Sequence, residues 1–445
     1  MKRMFMVTLL AFMVMMAGCS GGSTSSNEGG NASSTDSKTT DTNTSKETKA
    51  SDSKEKVKIT YAGWGASPYK EAYPMIKEAF EKTHPNIEIE IQDTPNKQYW
   101  QKIETAANGD NLPDVFWMNG PRFIQYAAND MLMPLGDLIK QDNYDMNNYP
   151  KSLVDLYSYN GESYGIPKDF DTIGVWYNKA LFDEKKVEYP NATWDWNKMI
   201  EAAQKLTDPT KGVWGIAAGF DSQGGYYNTI YQSGGYIISD DKKSSGYDKP
   251  EAIEGLRFWV DLINKYKVSP TMAQMTDTEP LNLFTSGKVA MLWEGSWNAV
   301  EFSSNDYLKD KIGVAALPKG KEQSVVIHGL GHVMAKNTKH PKEAWEFLKF
   351  LGSKEVADIH TKTGVAIPAF NGTQEAWVKS KPDLDLQIFI DQLAYSKPYP
   401  VSRYTAKWSS LEPDILKKAW AGEVSVEDAA KEMAAKMNEA LAAEK

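Results

Sequence analysis

The stretch Val57–Gln92, VKITYAGWGASPYKEAYPMIKEAFEKTHPNIEIEIQ, contains the three elements from which the fold class is read. Val57–Gly65 is a β-branched run that closes on glycine, a strand followed by a loop. Met75, Ile76, Ala79 and Phe80 then recur at helical spacing, and Pro85 ends that helix. In Ile87–Gln92 every second residue is isoleucine and its neighbours are polar, the pattern of a strand with one solvated face. Immediately downstream, YWQKIETAANG (Tyr99–Gly109) reads as a short helix stopped by Gly109. PDVFWMNG (Pro113–Gly120) reads as a strand running into a turn. Strand, helix, strand and helix in alternation predict an α/β architecture whose helices cover largely parallel sheets.

Toward the N-terminus the texture changes abruptly. Ser20–Lys56 has no aromatic residue and is nearly half serine and threonine, so it cannot bury enough apolar surface to fold. As a flexible coil of this length it would span about 35 Å. Before it stands Cys19, the only cysteine in 445 residues. Lys2 and Arg3 open the chain, Met4–Met16 is an apolar run of 13 residues, and Ala17 and Gly18 are small. A lasting membrane span needs about 20 apolar residues, so residues 1–18 read as a secretory signal. The arrangement resembles the bacterial lipobox, with Met16 where leucine is usual. It implies a diacylglyceryl group on Cys19 as the first mature residue, and residues 19–56 as the lipidated cysteine and its disordered tether.

The bulk composition narrows the function. The net charge is −9, and the folded body is no less acidic, which argues against a nucleic-acid partner. One cysteine leaves no internal disulfide, so the core alone stabilises the fold. Core packing accounts for most of the 14 Trp and 22 Tyr, and because aromatic faces also grip the apolar faces of sugar rings, the count mildly favours a carbohydrate ligand.

Four further segments carry a family resemblance. They are NGDNLPDVFWMNGPRFIQYAANDMLMPLGDLI (108–139), GESYGIPKDFDTIGVWYNKALF (161–182) followed by YPNATWDWNKMIEAAQKLT (189–207), FTSGKVAMLWEGSWNA (284–299), and IGVAALPKGKEQSVVIHGLGHVMAKNTKHPKEAWEFLKFLGS (312–353). The most specific feature is Tyr177–Lys179, preceded by Gly165–Pro167 and followed by Thr193–Trp194. In order along residues 57–445, these segments resemble family 1 of the bacterial extracellular solute-binding proteins that serve ABC importers. The resemblance implies two lobes with a ligand cleft between them and β-type hinge crossings near Asp169–Thr172 and Ala316–Lys319. It implies a first lobe of residues 57–170 plus 319–372 and a second of 171–318 plus 373–445, the latter ending in an Ala-rich amphipathic helix. It further implies a monomer on the extracellular face of the cytoplasmic membrane that captures a sugar or oligosaccharide, needs no cofactor, makes and breaks no bond, and passes the ligand to the transmembrane subunits of a permease.

The residues themselves argue against several chemistries. His328 and His332, four apart in a strand context, would be about 13 Å apart, too far for one zinc ion. Asp169 and Asp171, two apart in extended chain, would be about 6–7 Å apart, close to a glycosidase pair, so a surface glycosidase remains as one alternative. A binding protein for a phosphorylated polyol or a peptide-like solute is the other; a phosphate would call for clustered cations, and only Arg122 and Arg403 are candidates. The resemblance implies ligand contacts at Trp64, after the first strand, and at Trp117, Asn119 and Arg122, where Pro121 replaces the Asp of an Asp–Arg pair. It also implies contacts at Asp169 and Asp171, at Asp221, Gln223 and Tyr226 in a turn-rich loop, at Trp297, and at Arg403, Tyr404 and Trp408. Trp176 and Trp293, inside strands, are expected in the core, and Trp117 is divided evenly between core and cleft.

Overall fold

The computed structural model describes residues 56–65 and 69–444. The signal segment, Cys19 and the tether lie outside the described residues, except for Lys56. Val57–Trp64 pairs in parallel and in register with Ile87–Thr94, from Val57 opposite Ile87 to Trp64 opposite Thr94. The helix between them, Ala72–Thr83, buries Tyr73, Ile76 and Phe80, with His84 as its C-cap ahead of Pro85. Met75 and Ala79 are only half-buried, so the apolar stripe is centred closer to Tyr73 than the spacing implied. Ile87 and Ile89 face the core while Glu88 and Glu90 face water, as the alternation requires at a sheet edge.

Two sheets organise the chain. One has five strands in the order Ile87–Thr94, Val57–Trp64, Val115–Asn119, Leu330–Met334, Gly165–Pro167. The other has four, in the order Ile312–Ala316, Ile173–Asn178, Val289–Gly295, Trp214–Ile216. Neither is largely parallel, which corrects the expectation. Leu330–Met334 runs antiparallel to both its neighbours, and in the second sheet only Val289–Gly295 and Trp214–Ile216 run in parallel. The cause is connectivity: strands that arrive directly from the other sheet have no helical crossover to force a parallel direction.

The first sheet feeds the second through Lys168–Thr172, five residues with no helix. The return comes later than Ala316–Lys319. The Lys319 amide still donates to the Trp194 carbonyl, Glu322 to Gln232, and Val326 to the Asn228 side chain, all on the side of the second sheet. The chain actually crosses at His328, whose backbone bonds with Asp171, directly beside the outward crossing. Ile367–Pro368 adds a third segment here, antiparallel to Asp169–Phe170. Three stretches of extended chain therefore lie side by side where the two halves meet.

Buried apolar residues of both halves form one continuous core. Trp176 is fully buried in the second half, edge-on to Phe302 and tilted against Phe389, and its indole donates to the Glu294 carbonyl. Trp293 is also buried, edge-on to Trp259. The last helix, Val426–Ala442, is capped by the Ser425 side chain and buries Ala429, Ala430, Met433 and Met437 against helices Pro250–Asn264 and Glu412–Trp420. Among the described residues no helix is long and apolar enough to cross a membrane.

Candidate functional site

Where the crossings meet, strand ends from both sheets open onto a cleft of about 390 Å³. The first half contributes Trp64 and Trp117 from neighbouring strands, Asn119 at the end of one of them, and Tyr69. The second half contributes Gln223, from the turn Ser222–Tyr226, and Ser296, Trp297 and Asn298, from the turn after Val289–Gly295. Asp169, Asp171 and His328 come from the crossings themselves.

The aromatic side is rigid. Trp64 packs against Tyr99, Trp100 and Trp117 with ring centroids 4.9, 5.5 and 5.1 Å away. Trp117 is 1% exposed, and its indole donates to the Tyr61 hydroxyl at 2.6 Å. It belongs to the core as much as to the wall of the cleft. Beneath it, the Lys168 ammonium is fully buried, 4.2 Å from the Trp117 ring and 4.6 Å from the Tyr69 ring, where it donates to the Tyr69 hydroxyl and pairs with Asp169. Burial pulls the Lys168 amine down and the adjacent carboxylate opposes that pull. Across the cleft Trp297 is 36% exposed, the most open tryptophan contact in the site, and its six-membered ring lies over Gly295, where any Cβ would clash with it.

The polar groups divide into those already engaged and those left to the cleft. Asp169 accepts from the Leu330 amide at 2.9 Å and holds Lys168, so its carboxylate serves the fold. Asp171 accepts from the Gln223 amide at 2.6 Å, while its second oxygen lies 4.0 Å from His328 Nδ1. Burial first, and then the Asp169 charge, push its carboxyl well above the usual carboxylate range. His328 Nε2 accepts from the Gly120 amide at 3.3 Å, which leaves the proton on Nδ1; burial lowers its pKa to about 4, so the ring is neutral. Asn119 caps helix Gly120–Ala128, accepting from the Arg122 amide at 3.2 Å.

Trp64, Trp117, Asn119, Asp169, Asp171, Gln223 and Trp297 are thus brought together. The other expected contacts are not. Arg122 stacks 4.4 Å over Trp100 and reaches Glu104, away from the cleft. Tyr226 and Trp408 are 1% and 0% exposed, too buried to meet a ligand: Tyr226 donates to Glu412, and the Trp408 indole donates to Ser402. Arg403 and Tyr404 are half-buried beside the chain terminus, where their amides donate to Glu444. Asp221 caps the Gly224 amide and lines a neighbouring cavity. Sequence reasoning missed Tyr69, Ser296, Asn298 and His328. Ser296 and Asn298 flank Trp297 and were legible by adjacency; His328 had been weighed only as a metal ligand.

The Bacterial extracellular solute-binding protein family model matches residues 49–358. The chain belongs to this family. An extracellular solute-binding protein acts outside the cytoplasm, and the two-lobed α/β fold is the family's own. A putative binding protein of Brucella abortus is 26% identical over 319 residues, 67% of this chain and 72% of that protein. The galactooligosaccharide-binding protein of Bacillus subtilis is 26% identical over 72% of this chain and 75% of its own length. Among solved structures, an ABC substrate-binding protein of Listeria monocytogenes in complex with cycloalternan superposes with a TM-score of 0.82 at 27% identity, covering 87% of this chain and 100% of that one.

Proposed function

We propose that this solute-binding protein captures a sugar or oligosaccharide and delivers it to an ABC permease without chemical change. The observation that carries this reading is the pairing in one cleft of aromatic faces from both halves, Trp64 and Trp297, with carboxylate and amide groups, Asp171, Gln223 and Asn119. Flat apolar faces flanked by hydrogen bonders suit a ring with an apolar C–H face and a polar rim. Relatives that bind galactooligosaccharide, maltotriose and lactose support the same class. A phosphorylated ligand is disfavoured, since the described side chains of the cleft include no arginine or lysine. A glycosidase is disfavoured because Asp169 is tied to Lys168 and Leu330 and so is not free to act as an acid, base or nucleophile.

Two lobes that meet along Asp169–Thr172 and Ile327–Gly329 would close around the ligand as a monomer, and a lipid on Cys19 would hold the protein at the outer face of the membrane. A thermal-shift screen over mono- and oligosaccharides tests the reading. A ligand at 100 times its Kd adds about 2.7 kcal/mol of stability. A clear upward shift with a sugar, and none with sugar phosphates or peptides, is the expected result. Chromatography of the incubated sugars should recover them uncut, and shorter products would reinstate the glycosidase.

A further inference from the structure

Asp171 and His328 stand directly opposite each other where the two crossings pair. The Asp171 amide donates to the His328 carbonyl at 2.8 Å, and the His328 amide donates to the Asp171 carbonyl at 3.2 Å. Opposed residues of an antiparallel pair raise their side chains side by side on one face. Here that face is a wall of the cleft, and both side chains keep some exposed surface, 14% for Asp171 and 7% for His328.

Each side chain is fixed at its far end. The Gly120 amide of the first half holds His328 Nε2, and the His328 ring lies edge-on to Tyr399 with centroids 5.2 Å apart. Gln223 of the second half holds Asp171 Oδ1. The remaining polar atoms are His328 Nδ1, which carries the proton, and Asp171 Oδ2. Neither has a hydrogen-bond partner among the described residues. They face each other at 4.0 Å, too far for a direct bond. Neither can swing toward the other without straining its bond to Gly120 or Gln223. A donor and an acceptor at this spacing are bridged by one oxygen about 2.8 Å from each, which accepts on one side and donates on the other. A hydroxyl does both.

We propose that His328 is a ligand-binding residue and that it reads the same sugar hydroxyl as Asp171, with His328 Nδ1–H donating to the hydroxyl oxygen and Asp171 Oδ2 accepting its hydrogen. The inference rests on the sugar reading above and adds to it a residue and a demand on the ligand's stereochemistry. The bound hydroxyl completes a line of hydrogen bonds from Gly120 through His328 and Asp171 to Gln223, from one half of the molecule to the other. Bonds in such a line polarise and strengthen one another. A site built around a hydroxyl also rejects the analogue that lacks it, because the donor and acceptor are then left unpaired.

Calorimetric titration with maltotriose, lactose, galactotriose and mannotriose, and then with the singly deoxygenated derivatives of the sugar that binds, tests the pair. His328→Gln keeps an acceptor for the Gly120 amide but loses the donor at Nδ1. It should bind the parent sugar at least about fivefold more weakly, and Asp171→Asn about tenfold more weakly. One deoxy derivative should bind wild type and both variants within about twofold of one another, because the hydroxyl that both residues serve is gone. In the unaltered protein, the NMR resonance of the His328 Nδ1 proton should move with the parent sugar and stay at its ligand-free position with that derivative, a readout that does not depend on how the variants fold. The proposal is overturned if His328→Gln binds the parent as tightly as wild type, or if different derivatives erase the two effects. It is equally overturned if no derivative erases them, the result expected when a water rather than the ligand bridges the two side chains. If none of the four sugars binds the wild type, the sugar reading itself has failed and takes this inference with it.

Discussion

Trp297 and Asp171 carry the sharpest consequences at the scale of single residues. Trp297 is the exposed plate of the cleft, resting on Gly295 rather than in a core. Stacking on an aromatic face is worth about 1–3 kcal/mol in the analogous contact with a nucleobase. Trp297→Ala should therefore weaken ligand binding about 10–100-fold by calorimetry and leave the ligand-free melting temperature almost unchanged. A steep fall in that temperature would make Trp297 a packing residue. Asp171 is different, because its charge is costly in the folded protein. Its folded pKa lies above the unfolded value of about 3.9, so the stability it contributes is fully present below that value and is lost as pH rises through the folded pKa. Asp171→Asn keeps an acceptor for Gln223 while removing the charge. It should melt at or above the wild-type temperature at pH 8, show a flatter pH dependence of stability, and bind ligand about tenfold more weakly. A melting temperature well below wild type at pH 8 would show that the carboxylate stabilises the fold.

Elements are held by close approach as much as by apolar stripes. In helix Pro250–Asn264, a Cβ on Gly255 would lie 2.5 Å from the Ile230 backbone nitrogen, on helix Tyr227–Gln232. The Thr229 hydroxyl donates to the Gly255 carbonyl at 2.7 Å and accepts from the Trp259 indole at 3.1 Å, which fixes that approach. Backbone cannot yield as a side-chain tip can, so Gly255→Ala should destabilise by about 1–3 kcal/mol despite the better helix propensity of alanine, measured by urea denaturation. No change in midpoint would mean that the two helices separate freely. Glu412, at the start of helix Glu412–Trp420, gathers the hydroxyls of Tyr226, Tyr227 and Tyr247. This explains why the turn that presents Gln223 keeps its tyrosine inward: the hydroxyl of Tyr226 has a buried acceptor in Glu412. The structure places Tyr226 inward, away from the cleft, for that reason.

The two halves of the molecule are joined at one place. The outward crossing at Asp169–Thr172 and the return at His328 are bonded to each other, and Asp171 and His328 both line the cleft. A ligand that touches Gln223 and Trp297 on one side and Trp64 and Asn119 on the other gains its contacts together only when the cleft is shut, and it shifts the equilibrium by that difference in affinity. X-ray scattering should accordingly show a smaller radius of gyration with saturating sugar, and an unchanged profile would refute closure. On the proposed lipid anchor, Cys19→Ser should release the protein from the membrane fraction to the soluble one, since the substitution removes the acyl chains together. Retention on the membrane would disprove the lipid assignment.

Local pattern alone determined the α/β class, the strand at Ile87–Gln92, the helix stops before Pro85 and at Gly109, the amphipathic last helix and the buried place of Trp176, because each follows from periodicity or from a proline or glycine at a fixed position. The four segments in order, with the motif around Tyr177–Lys179 the most specific part, were enough to read the family. Only the tertiary structure decided strand direction, the true return crossing at His328, and which polar residues face the cleft. Those depend on partners far apart in the chain: Asp171 is set by Gln223 and His328, Tyr226 by Glu412, and Trp408 by Ser402. Whether an aromatic or acidic side chain is a wall of the core or a wall of the cleft is a question of which distant element covers it, and a single stretch of sequence does not carry that answer.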